Sequence, residues 1–292
     1  MVTNVPELGR RHVFGEHADL RGRTVMVLHA HPDDEAIFTG ATMRRLADAG
    51  ARVVLATATL GELGAEHVSL AAGETMAQRR VAELERAADL LGVQRLVLLG
   101  HRDSGLPGAA DNAHRDALAA ADPARVARRL AALAGEEHAD AIVYDDGGGI
   151  YGHPDHLAAH RIGTLAARLA GVPAYESTVD RGHLHDPAGR AHLVHAAARA
   201  TGLPIGVETE QIALTLTATA TELAVKRAAI AAHASQITAE DVTHAAFDDA
   251  YGLEWFVRTG GAGPLDAVLS SPTPVIINDA PHHEPARDVV NR

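Results

Sequence analysis

The 292-residue chain has no cysteine, which excludes disulfides, thiolate nucleophiles and thiolate metal ligands together. Any metal it binds must be held by His, Asp, Glu or backbone oxygen. Lysine is nearly absent too, with Lys226 the single one. Positive charge is scarce as a whole: 26 Lys and Arg stand against 38 Asp and Glu, for a formal net charge of −12. With no local basic stripe, such a chain repels a phosphate backbone, so nucleic acid is not an expected partner. Long apolar runs are missing as well; the apolar stretches are short and broken by charge, and Met1 to Arg11 shows no basic segment followed by an apolar run. The expectation is a soluble, cytoplasmic protein without a membrane partner.

What is present is enough to build a sizeable core, since 47% of the residues are hydrophobic and the length sits near the upper end of one α/β domain. The reading is a single domain over residues 1–292, with a core at about 22–178 and a C-terminal extension at about 179–292. Nineteen histidines are many. Pairs such as His183/His185 and His282/His283 lie in stretches rich in Gly, Pro and Asp and read as solvated loops.

Along the chain, Thr24 to Leu28 reads as a buried strand, Ala36 to Ala49 as a helix stopped by Gly50, and Arg52 to Ala58 as a second strand. A helix from Thr75 to Leu91 ends at Gly92 and leads to a strand at Arg95 to Leu99. Another helix from Pro123 to Ala134, stopped by Gly135, leads to a strand at Ala141 to Tyr144. Further on, Pro173 to Thr178, Gln211 to Leu216 and Pro274 to Ile277 are candidate strands, and Thr219 to Ser235 reads as a helix. The alternation implies an α/β fold, a Rossmann-like and mostly parallel sheet with helices on both faces. Sites in such sheets form at the C-terminal ends of the strands.

Two clusters fall there. Ala30-His31-Pro32-Asp33-Asp34-Glu35 follows the first strand, and Tyr151-Gly152-His153-Pro154-Asp155-His156 follows the fourth. First and fourth strands commonly neighbour each other in doubly wound sheets, so both loops open onto one crevice. Each cluster taken singly also reads as an ordinary helix start, with Pro in the first turn and acidic residues near the positive end of the dipole. Two of them on one rim point to a metal site. A hydrolytic zinc needs three N/O ligands and an open position. His31 and Asp34 can both point at one ion, the second loop adds a His, and Asp33 remains free to accept a proton from water beside the metal.

These residues resemble the LmbE-like (PIG-L) deacetylase superfamily, whose marks are an Ala-His-Pro-Asp-Asp-Glu loop and a later His-Pro-Asp-His loop. The likeness is greatest to its mycothiol-pathway branch, through Thr59-Leu60-Gly61-Glu62, Arg80-x-x-Glu83, Arg102-Asp103-Ser104-Gly105 and Ala231-Ala232-His233-Ala234-Ser235-Gln236. It covers about the first 160 residues well and the rest in patches. The resemblance implies that His31, Asp34 and His156 bind Zn2+, with Fe2+ as an alternative, and that Asp33 is the general base. It makes His153 the residue that stabilises the oxyanion, oriented and charged by Asp155 and aided by the Tyr151 hydroxyl. Arg80 and Asp103 match substrate-contact positions. The loop before Tyr151, Asp146-Gly147-Gly148-Gly149-Ile150, lacks the Pro and Asn of the family's Asp-Pro-Asn-Gly-Gly, and is expected to be more mobile.

The implied activity is removal of the N-acetyl group from an amino-sugar conjugate. Alternatives are an amidase for a mycothiol-type conjugate and a metal-containing sugar-binding module without turnover. A dinucleotide-binding module would carry a Gly-rich turn where the acidic loop stands. A Mg2+ phosphoryl-transfer or receiver domain would need a lysine at the rim, whereas Lys226 falls in a C-terminal helix. The expected partner is a small amino-sugar molecule, and the sequence leaves a homo-oligomer open.

Overall fold

The computed structural model describes residues 18–269. Its core begins with β1 (Thr24–His29), followed by α1 (Asp34–Phe38), α2 (Gly40–Asp48) and β2 (Arg52–Thr59). Next come α3 (Met76–Leu91), β3 (Arg95–His101), α4 (Pro123–Glu136) and β4 (Ala141–Asp145). The single turn α5 (Gly149–Gly152) and the long α6 (Pro154–Ala170) then lead to β5 (Ala174–Thr178). Beyond it lie α7 (Arg181–His185), α8 (Val194–Thr201), β6 (Leu214–Thr217), α9 (Ala220–Ala232), α10 (Ala239–Thr243), α11 (Phe247–Tyr251), β7 (Leu253–Thr259) and α12 (Pro264–Val268).

Among the described residues seven strands form one sheet in the order β3-β2-β1-β4-β5-β7-β6. The first five are parallel, and β7 runs antiparallel to both β5 and β6. The chain winds outward from β1 to β3 and returns to β4 beside β1, so the order reverses between β1 and β4 and a crevice opens at their carboxyl ends. The expected adjacency of first and fourth strands is met.

All six residues of β1 are buried, as befits a strand covered on both faces. Val25 and Val27 enter one core, with residues of α1, α2, α3 and α9, while Met26 and Leu28 enter the other, with residues of α4 and α6. Each such side chain contributes about 1.5–3 kcal/mol through burial. The helix ends follow local chemistry. Thr75 and Gln78 form a reciprocal capping box at the start of α3, and Gly92 ends it in the left-handed conformation at φ 79.

Several sequence expectations need correction. The Ala36 to Ala49 helix is broken at Thr39, with φ −136 and ψ 10. The break lets α2 start afresh on the Glu254 carboxylate, which accepts from Ala41 N and Thr42 N at 2.8 Å each. Helix α4 runs through Gly135 to Glu136. The Gln211 strand begins only at Leu214, because Thr209–Gln211 forms a 3-10 turn, and α9 stops at Ala232 where His233 turns away. His183 and His185 lie in α7 rather than a loop. Strand β7 was not anticipated; the buried Glu254 within it is paired with Lys226 at 2.7 Å. The strand at Pro274 to Ile277 and the pair His282/His283 lie outside the described residues. No helix among those described is long and apolar enough to cross a membrane.

Candidate active site

The turn after β1 places two carboxylates, Asp33 and Asp34, at the crevice through an unusual backbone. Asp33 adopts φ 108, a conformation disfavoured for a residue with a Cβ. Its carbonyl accepts from Ala36 N at 3.1 Å and Ile37 N at 3.0 Å, which starts α1. Asp34 is thereby turned inward, where its Oδ2 accepts from the His31 amide at 2.7 Å. Across the crevice, α6 begins with Pro154 and is capped by His153, whose Nδ1 accepts from Asp155 N at 3.2 Å.

Donor atoms of His31, Asp34 and His156 lie within 4.8 Å of one another, and all three residues are buried. His31 Nδ1 is 3.5 Å from Asp34 Oδ2, and His156 Nε2 is 3.5 Å from Asp34 Oδ1. The outward nitrogen of each ring is engaged elsewhere: His156 Nδ1 meets Asp145 Oδ2 at 2.7 Å, and His31 Nε2 meets Asp155 Oδ2 at 3.1 Å. With a proton held on each outward nitrogen, the inward lone pairs face the Asp34 carboxylate. Carboxylates behind histidines in this way fix metal-binding tautomers, and a set of two nitrogens and one carboxylate without sulfur suits zinc. The surrounding charge also favours a cation. Burial pulls the His156 and His31 imidazoles down, yet Asp34 and Asp145 around the first, and Asp155 and Asp34 around the second, raise both above the ordinary value.

Asp33 and His153 flank this set on a cleft of about 440 Å³, which Arg80, Asp103 and Tyr151 also line. Burial lifts the Asp33 carboxyl to about 6, with Arg80 pulling it down and the Asp34 charge pushing it up. That value suits a base working near neutrality. Burial, with the neighbouring His31 and His156, pushes His153 down to about 2 despite the opposing pull of Asp155. His153 is therefore a neutral imidazole, and because Nδ1 accepts a backbone proton, Nε2 carries the hydrogen.

Asp155 has partners besides His153. Its carboxylate turns to His31 and to Ser104, whose amide donates at 2.9 Å and whose hydroxyl also bonds it; its hydrogen bond to His153 is through the backbone amide, and its charge pulls that imidazole upward. Ser104 holds Asp155 against His31, so Asp155 orients a metal-ligand candidate while its charge also acts on His153. Arg80 is likewise committed within the protein. Its Nη1 donates to Gly61 O at 2.7 Å, and its Nη2 donates to Asp33 Oδ2 at 3.0 Å and to Pro32 O. Asp103 Oδ1 accepts from Gly105 N at 2.8 Å and lies 3.8 Å from His31 Nε2.

The glycine loop before Tyr151 has anchors of its own. Asp146 accepts from Gly148 N and Ile150 N at 2.9 Å each and from Thr178 Oγ1. Thr201 Oγ1 donates to Tyr151 O at 2.6 Å. The Tyr151 hydroxyl sits 3.4 Å from His156 Nε2, and burial with the surrounding carboxylates keeps it protonated well above its usual range. Gly152, at φ 82, lies against Leu203, which a Cβ there would strike.

Sequence reasoning did not single out Asp145, and it quoted Ser104, Glu35 and His233 only as parts of motifs, without a role for any of them. Asp145 ends β4 and uses its second oxygen on His29 Nδ1 at 2.8 Å. The available signal was its position, a carboxylate at the carboxyl end of the strand beside β1.

The family described as GlcNAc-PI de-N-acetylase (PIG-L) matches residues 26–167. A 1D-myo-inositol 2-acetamido-2-deoxy-alpha-D-glucopyranoside deacetylase of Salinispora arenicola is 37% identical over 239 residues, spanning 75% of this chain and 77% of that protein. The enzyme of the same name from Thermobispora bispora is 34% identical over 274 residues, 83% of this chain and 90% of the relative. Among solved structures, a deacetylase of the teicoplanin biosynthesis pathway aligns with a TM-score of 0.56 at 20% identity, over 82% of this chain and 100% of the other, a likeness of fold.

Proposed function

The chain belongs to the GlcNAc-PI de-N-acetylase (PIG-L) family, and from that premise we propose that it hydrolyses the N-acetyl amide of an amino-sugar conjugate, with N-acetylglucosaminyl as the substrate unit. The observation that carries this reading is the convergence of His31, Asp34 and His156 beside Asp33 and His153 on one cleft. His31, Asp34 and His156 would hold zinc, and ferrous iron suits the same donors. When bound, the metal supplies Lewis acidity toward the acyl carbonyl and toward water.

The chain's own groups account for the proton movements. Asp33 takes a proton from the attacking water as its oxygen bonds to the acyl carbon. Neutral His153 donates Nε2–H to the carbonyl oxygen as that atom gains negative charge, and the protonated Tyr151 hydroxyl serves the same atom. The C–N bond then breaks, and the proton held by Asp33 passes to the leaving nitrogen, so acetate and a free amine are released without a covalent enzyme intermediate. Asp103, on the cleft wall, would contact sugar hydroxyls. Arg80 keeps the Asp33 carboxylate in place from the same wall. We assign the protein to the cytoplasm, where a chain without cysteine has no disulfide to lose.

A second reading has one observation in its favour. The cleft is also lined by Leu63, Leu106, Leu193, Val194 and Ala197, an apolar surface suited to a larger substituent, as in an amidase acting on a mycothiol-type conjugate. The test is elemental analysis of the purified protein, with amine release followed from a panel of N-acetylglucosaminyl compounds and larger amide conjugates, with and without chelator. Stoichiometric zinc or iron and chelator-sensitive release from the N-acetyl compounds support deacetylation. Release only from the larger conjugates favours the amidase, and metal without any release favours a sugar-binding module.

A further inference from the structure

Asp33 is held at three points, and one leads out of the active-site loops. Its carbonyl starts α1 and its carboxylate meets Arg80. Its amide donates to Glu35 Oε2 at 2.9 Å, and the other oxygen of Glu35 meets His233 Nε2 at 2.6 Å. Glu35 and His233 are fully buried. Among the described residues His233 Nδ1 has no hydrogen-bond partner, so Glu35 is the polar anchor of the ring.

His233 stands at the end of α9, where the chain turns away from the helix and ties three more pieces together. Ser235 donates to both oxygens of Glu83 on α3, from its amide at 3.0 Å and its hydroxyl at 2.6 Å. Its carbonyl accepts from His67 N at 3.0 Å, and Gln236 Nε2 donates to Ala65 O at 2.7 Å. Glu83 lies one helical turn from Arg80, which holds the other side of Asp33. Residues 233–236 thus brace both supports of Asp33 from a part of the chain that places no donor in the candidate metal set.

We propose that His233 is a positioning residue for the reaction, holding Asp33 through Glu35 in a backbone conformation that the loop would otherwise leave. The inference rests on the deacetylase reading, in which Asp33 is the base. An Asp at φ 108 relaxes toward ordinary values unless its amide is held, and relaxation swings the carboxylate off line by an amount that matters to proton transfer.

The test compares the full-length wild-type protein with His233→Ala, His233→Gln and Glu35→Gln in amine release, metal content and amide hydrogen exchange of residues 29–38. For His233→Ala the expected result is a fall in kcat of about a hundredfold, with KM within about twofold, metal content retained and faster exchange in that segment alone. His233→Gln, which can still donate to Glu35, should recover much of the loss. In an Asp33→Ala background His233→Ala should cost nothing further in residual rate. An unchanged kcat, an equal loss in both backgrounds, or unaltered exchange in residues 29–38 would overturn the proposal. If the wild type releases no amine, the deacetylase reading fails, and the exchange result still decides whether His233 holds the loop.

Discussion

The strands and helices from β1 to α6 and those from β5 to α12 meet at the same cleft with different duties. The first region supplies the groups placed to react or to bind a metal: His31, Asp33, Asp34, Asp103, Tyr151, His153 and His156. The second supplies supports: His233 behind Glu35, Ser235 behind Glu83, Glu254 under the start of α2, and Thr201 on the carbonyl of Tyr151. All of the reactive groups but Asp103 come from two short loops whose geometry follows from adjacent residues, whereas the rigidity of those loops depends on side chains far away in sequence. The family match ends at residue 167, close to where donors give way to supports.

If the division holds, changes to the reactive groups of the first region remove activity from a folded protein, and changes to supports in either region act on stability or on alignment. Asp33→Ala should lower kcat on the order of a thousandfold to ten-thousandfold while metal content, read by elemental analysis, stays at the wild-type level; surviving turnover would remove Asp33 from its role. Lys226→Ala leaves Glu254 as an uncompensated buried charge and should cost about 3–5 kcal/mol in urea unfolding, with kcat per folded molecule little changed. Asp145→Asn weakens the hold on His156 Nδ1 and should reduce metal affinity about 10-fold to 100-fold in a competition titration. Thr75→Ala, which removes the cap of α3, should cost about 1 kcal/mol and leave the kinetics as they were. Loss of metal in Asp33→Ala, or a kinetic defect in Lys226→Ala that exceeds its unfolding, would blur the boundary between the regions.

How much of this was legible in the sequence follows the same line. Strands β1 to β4 could be read because each is a short run of mostly apolar residues that follows a polar turn, and both clusters could be read because their residues are contiguous. The break at Thr39 could not, since the residues around it keep helical spacing and its cause, Glu254, lies on another strand. Strand β7 was hidden by that same glutamate, a charge that looks exposed until Lys226 is placed beside it. The further contacts of Asp155 and Arg80 were hidden for a related reason. Spacing puts them near the cleft, but it does not show that Asp155 also meets His31 and Ser104 or that Arg80 also holds Asp33.

Asp145 receives His156 on one oxygen and His29 on the other, and His29 Nε2 lies 2.8 Å from Thr39 Oγ1 at the break between α1 and α2. Thr39 is out of reach of any substrate in the cleft and 1% exposed, yet it ends a relay that begins at a candidate metal ligand. Replacing that hidden hydroxyl would alter the support behind a candidate metal ligand while leaving the residues that line the cleft as they were.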